Sequence, residues 1–181
     1  MSDPIRLRDS AALTPAAWAE VLAGGATVSA EGCIRFPTTL LAAVQMAGTR
    51  PVHQGMSDAV AGALRVVGAG PAFGLDPITV ARLPFSAQIR ADGAVTVVVA
   101  ATASSTPVTS TAPAHEWAAH LAMPAVEVDL GQLTTLNSVV IAWLLQLGHS
   151  AHPAPVRLGG ANRQVLAQLR QLRLDQVLTL V

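Results

Sequence analysis

Lysine is missing from this 181-residue chain, cysteine occurs once, and charged residues are scarce. The lone Cys33 excludes an intrachain disulfide and leaves the redox compartment open. Its simplest reading is a small buried apolar residue. All eleven basic residues are arginine, and they balance eleven acids. With net charge zero and Arg6, Arg50, Arg90 and Arg170 widely dispersed, the electrostatic footprint of a nucleic-acid binder is absent. Long apolar runs are absent too. The longest near-apolar stretches, 94–101 and 139–147, are about half the length a helix needs to cross a bilayer. Asp3, Arg6 and Arg8 put charge where a signal peptide would carry its apolar stretch. These features predict a cytoplasmic protein without membrane insertion.

What the chain does have is apolar surface. Hydrophobic residues make up 51% of it, and the charged share of 12% is about half the usual quarter. That surplus offsets chain entropy, so disorder does not fit. The length suits one medium domain or two small ones.

The second half reads as alternating strands and helices. Residues 85–90 and 94–100 form two strands around Asp92-Gly93, a hairpin turn signal because glycine tolerates positive φ. The Ser/Thr/Pro/Ala stretch 102–112 reads as a loop, and 113–121 as the start of a helix. Val126-Glu-Val-Asp-Leu130 is a short strand, and Asn137 or Ser138 caps a helix reaching about Leu147. Residues 155–158 form a further strand. Asn162 caps a helix over 163–173, with Val165, Leu166, Leu169 and Leu172 on one stripe. Residues 174–181 supply a final turn and strand.

The first half reads as a reduced copy. Trp18-Ala19 matches Trp117-Ala118, Leu22-Ala23 matches Leu121-Ala122, and Gly55, Val60 and Leu64-Arg65 match Gly160, Val165 and Leu169-Arg170. The same helix–strand–helix order runs through both. Thr38 and Thr39 align with Asn137 and Ser138, and a capping role is open to them also.

Catalytic constellations do not assemble. Arg65-Val-Val-Gly-Ala-Gly-Pro-Ala-Phe-Gly74 imitates a dinucleotide-binding turn, but Phe73 fills a place that must be small, and Pro77 follows closely. Gly68-Ala-Gly-Pro71 reads more simply as a helix stop. His115-Glu116 with His120 is not a zinc-hydrolase motif, because a separation of five puts the rings on different helix faces. His53, His149 and His152 lie in or beside loops, and Ser138 has no neighbouring histidine base. Trp18, Trp117 and Trp143 sit in apolar helical patterns and read as core. No cofactor or metal is implied, and a non-catalytic protein is expected.

Val126-Glu-Val-Asp-Leu-Gly-Gln-Leu-Thr-Thr-Leu-Asn-Ser-Val-Val140, followed by Arg157-Leu-Gly-Gly-Ala-Asn-Arg163 and Leu172-Arg-Leu-Asp-Gln-Val177, resembles the STAS domain, the sulfate-transporter and anti-sigma-antagonist module. The resemblance spans 85–181. It implies an α/β fold with a mixed sheet and helices packed on one face, in two related halves: a degenerate 1–78 and a fuller 79–181. In the family motif an aspartate precedes the hydroxyl that opens the helix; here Asn137 takes the aspartate's place and Ser138 the hydroxyl's. Val139 and Val140 replace a second serine, often the phosphorylated one, and a glycine. Ser138 therefore stands as the candidate phospho-acceptor, with plain capping as the other reading. The resemblance implies a partner-binding surface around Thr38, Thr39, Asn137, Ser138, Gly160 and Asn162. It further implies a role as an anti-sigma-factor antagonist that engages a serine-kinase-like anti-sigma factor. The alternative is the family's lipid-transport branch, where a STAS protein supports an ABC transporter's ATPase. The halves pair within one chain or between the chains of a homodimer.

Overall fold

A computed structural model describes residues 5–7, 13–48, 53–76, 84–104 and 115–181. Its main element is a five-stranded mixed sheet. Strands β5 (Phe85–Ile89) and β6 (Val95–Val99) form the expected hairpin, antiparallel with Phe85 opposite Val99. Gly93 takes a φ of 85° in its turn, and the Asp92 carboxylate accepts from the Ala94 amide. The run Val95-Thr-Val-Val-Val99 is β-branched throughout and favours extended backbone. β6 then pairs in parallel with β8 (Val126–Asp129), β8 with β9 (Val156–Gly159), and β9 with β10 (Thr179–Leu180).

Parallel neighbours need a crossover. Helix α4 (Ser138–Ala151) connects β8 to β9, and α5 (Arg163–Gln171) lies between β9 and β10. α4 runs past the expected Leu147, because Gly148 weakens a helix by only about 1 kcal/mol and the first proline is Pro153. α5 ends earlier than expected, at Gln171.

The sheet has one buried face and one open face. Phe85, Ala87, Val95, Val97, Val99, Val126, Val128, Val156 and Leu158 are buried. On that side Phe85 stacks on Trp143 of α4 with ring centroids 5.3 Å apart. The alternate positions Gln88, Thr96, Glu127, Arg157 and Thr179 lie in one row across all five strands. Glu127 there pairs with Arg90, and Arg157 lies 3.8 Å away.

In the first half, β1 (Ile5–Arg6), β2 (Val28–Ser29) and β4 (His53–Gln54) form a three-stranded parallel sheet in that order. Helix α1 (Pro15–Ala23) precedes β2, α2 (Thr38–Ala47) connects β2 to β4, and α3 (Asp58–Val66) follows β4. Gly68 ends α3 at a φ of 71°: its amide bonds to Arg65 O, and that of Ala69 to Leu64 O. The following Gly70–Phe73 is a 3-10 turn, with Phe73 buried edge-on to Phe36.

One continuous cluster of buried side chains runs from Leu7, Trp18 and Phe36 to Val97, Trp143 and Leu169. The 78/79 boundary drawn from the sequence lies outside the described residues. Segment 113–121 departs from its expected α-helix: Glu116–His120 is a 3-10 turn, and Leu121–Ala122 is strand β7. β7 pairs in parallel with β3 (Phe36–Pro37), so a ladder from the other half draws this segment into extended form. Residues 113–114 lie outside the described ones. No helix among the described residues is long and apolar enough to cross a membrane.

Candidate functional site

Two loops leave the carboxyl ends of the adjacent parallel strands β8 and β9. The first loop is 130–137 and the second is Gly160 to Asn162. They meet closely. Asp129 Oδ1 accepts from the Gly131 amide at 2.8 Å. Gly160 has a φ of 70°, and a Cβ on it would lie 2.2 Å from Asp129 Oδ1 and 3.1 Å from Gly131 N. Both the backbone conformation and the space require glycine.

Asn162 ties the loops to α5. Its Oδ1 caps the helix by accepting from the Val165 amide at 2.9 Å, and its Nδ2 donates to Leu133 O at 2.8 Å. Deeper along α5, Gln168 Oε1 accepts from the Leu136 amide at 2.9 Å. Asn137 Oδ1 accepts from the Val140 amide at 2.9 Å and caps α4. Leu130, Leu133 and Leu136 are buried beneath the loop, whereas Gln132, Thr134, Thr135, Gly160 and Asn162 are exposed. The product is a polar rim braced on an apolar floor. Ser138, the first residue of α4, is exposed on it. Amides in the first turn of a helix have no intrahelical acceptor, and the macrodipole favours negative charge there. A phosphate on Ser138 would sit in that field.

The structure thus brings Asn137, Ser138, Gly160 and Asn162 together and separates Thr38 and Thr39 from them. Val95 pairs with Val126 at the start of β8, whereas the rim lies beyond Asp129 at its end. Thr38 sits against the turn before Val95: it is fully buried, and its hydroxyl donates to Gly93 O, with Ala122 O at 3.2 Å. Thr38 is therefore an internal fastening between the halves and not an accessible contact residue. Nor does either threonine cap α2, whose N-cap is Pro37 with no side-chain cap bond. Thr39 packs against Gly93 and lines a cleft of about 400 Å³ with Arg35, Asp92 and Met123.

Sequence reasoning missed three supports. Asp129, read from the sequence only as part of the strand that carries the resemblance, and Gln168 brace the rim through the Gly131 and Leu136 amides. Arg35 reaches across to Ala119 O at 2.9 Å and Ser150 O at 3.0 Å, where a cation suits the last turns of two helical segments. The buried Cys33 thiol has its pKa pushed up by desolvation, with an opposing, smaller effect of a backbone hydrogen bond at Arg35. Among the described residues no cluster of His, Cys, Asp and Glu could hold a metal ion. No family model, no curated protein and no solved structure matches the chain.

Proposed function

We propose that this chain is a non-catalytic interaction module of the STAS type, acting in partner-switching regulation through the rim at Asn137, Ser138, Gly160 and Asn162. The observation that carries the reading is an exposed hydroxyl, Ser138, at the amino end of α4 on a loop fastened from beneath by Asn162 and Gln168. A contact surface fixed before binding loses less entropy on association. Phosphorylation of Ser138 adds up to about two negative charges at that surface and releases the partner.

The two halves are related copies in this reading. Ser29 and Asp129 each accept from the amide two residues on. The turns Cys33 N to Ala30 O and Leu133 N to Leu130 O follow at the same spacing. Gly55 and Gly160 share a positive φ, and Ser57 and Asn162 cap the helices after them through Val60 and Val165. These correspondences pair Thr38 with Ser138, one residue away from the pairing read off the sequence. In the first copy the equivalent hydroxyl is enclosed between the halves, so the second copy alone offers its helix start to a partner.

The test is co-purification of the tagged chain from its native host, then binding measurements on the purified pair. A serine-kinase-like ATPase supports the anti-sigma branch, and a transporter ATPase the lipid-transport branch. Ser138→Asp should weaken the complex at least tenfold, and the cognate kinase should add one phosphate that Ser138→Ala abolishes. A complex indifferent to Ser138 and Asn162 substitutions overturns the reading.

A further inference from the structure

We infer that the outer side of α5 and the turn after it, carrying Arg163, Arg170 and Arg173, is a docking surface for an acidic segment of a partner protein. The inference rests on the reading that this chain binds a protein, and it specifies the partner's chemistry. All three arginines are exposed, and among the described residues none makes an ion pair or a side-chain hydrogen bond. Two of them stand where an arginine destabilises the fold. Arg163 occupies the first turn of α5, the positive end of the helix dipole. Arg173 follows the helix at φ 55° and ψ 29°, a left-handed position where glycine is the usual and less strained residue. Among the described residues neither side chain has a hydrogen-bond or ion-pair partner that offsets this. Arg170, in the last turn, suits the dipole and by itself indicates nothing. A side chain kept at a conformational cost, without a partner among the described residues, points to a partner outside the chain.

The surroundings say what that partner carries. Residues 163–181 hold three of the chain's eleven arginines and one of its eleven acids, Asp175, so a local positive field stands out on a neutral protein. Arg163 and Arg170 are seven residues apart, about two turns on one helix face. Leu172 and Val177 are 49% and 68% exposed beside them. The complementary segment has acidic groups about two turns apart and apolar residues to cover Leu172 and Val177. Arg163 directly follows Asn162, so this surface continues the rim. An acidic partner is also the kind that a phosphate on Ser138 would repel.

The test is selection of a displayed random-peptide library on the full chain, with affinities of the enriched peptides measured by fluorescence anisotropy. Enriched peptides should be rich in Asp and Glu with interspersed apolar residues. Their binding should fall at least tenfold in an Arg163→Gln, Arg170→Gln, Arg173→Gly variant. That variant should unfold at a higher urea concentration than the wild type, which separates lost binding from lost fold. Raising salt from about 50 to about 300 mM should weaken binding to the wild type and leave the variant nearly unchanged. Enrichment without acidic residues overturns the inference. So does equally tight, arginine-dependent binding to duplex DNA or phosphatidylglycerol vesicles. Peptides lost on Ser138→Asp but retained by the arginine variant overturn it while sparing the rim. No enrichment on either protein overturns both.

Discussion

Replacing Gly160 by alanine perturbs two things at once, and their sizes follow from the structure. The residue sits at φ 70°, where an L side chain costs about 1–2 kcal/mol. The new Cβ would also lie 2.2 Å from Asp129 Oδ1, so the carboxylate must turn away and give up its bond to the Gly131 amide. That bond is to a charged acceptor in an exposed turn, and its loss costs about 1.5 kcal/mol. Gly160→Ala should therefore destabilise by about 3 kcal/mol. Asp129→Ala alone removes the hydrogen bond without the φ strain, at about 1.5 kcal/mol. In the double variant the bond is lost once, not twice, so the cost should fall about 1.5 kcal/mol short of the sum. Urea unfolding followed by the fluorescence of the buried Trp18, Trp117 and Trp143 reads all four corners of the cycle. In thermal unfolding a loss of about 3 kcal/mol corresponds to about 6–12 °C for a chain of this length. Additivity within about 0.5 kcal/mol would show that the two loops do not meet through this contact, and would remove the argument for a preformed rim.

Three further outcomes follow from the same geometry. Asn162→Ala loses the α5 cap and the anchor on Leu133 O and should cost about 2 kcal/mol; Asn162→Asp keeps the cap, loses only the donor and should cost less than half as much in the same assay. Thr38→Val leaves Gly93 O without its hydroxyl donor and should destabilise by about 1–3 kcal/mol, while Thr38→Ser retains most of the stability; a Thr38→Val protein as stable as the wild type, with the loss falling on Thr38→Ser, would mean that the methyl group matters and not the hydroxyl. Cys33 should react with a thiol reagent in the native protein far more slowly than in urea. Because its folded pKa is raised, its contribution to stability is complete below the unfolded thiol value of about 8.5 and is lost as pH rises through the folded value. With no lysine or tyrosine in the chain, that alkaline slope should vanish in Cys33→Ala.

Much of the second half was legible as a sequence because its signals are local. The Asp92-Gly93 turn, the β-branched run 95–99, and the caps Asn137 and Asn162 each act within a few residues, and each lies where expected. Gly68 and Pro71 likewise ended α3 without help from elsewhere. The helix expected over 113–121 was misread at its end because Leu121 pairs with Phe36, about 85 residues away, and local helical preference lost to that ladder. Nothing in the spacing of Arg35 indicates that its guanidinium will reach the carbonyls of Ala119 and Ser150.

The candidate site divides along the same line. Residues 137–138 and 160–162 carry local signals of helix starts and a tight turn, so the sequence alone located both loops. Their joining into one surface, and the removal of Thr38 into the interior, were decided by strand register. Parallel pairing of β8 with β9 brings two carboxyl-end loops together, whereas the pairing of β6 with β8 sets the Gly93 turn at the opposite end of the sheet. Capping and turn formation cost and gain free energy within a few residues, so a sequence records them. Which loops become neighbours depends on hydrogen-bond ladders between distant segments, and only the folded chain contains those.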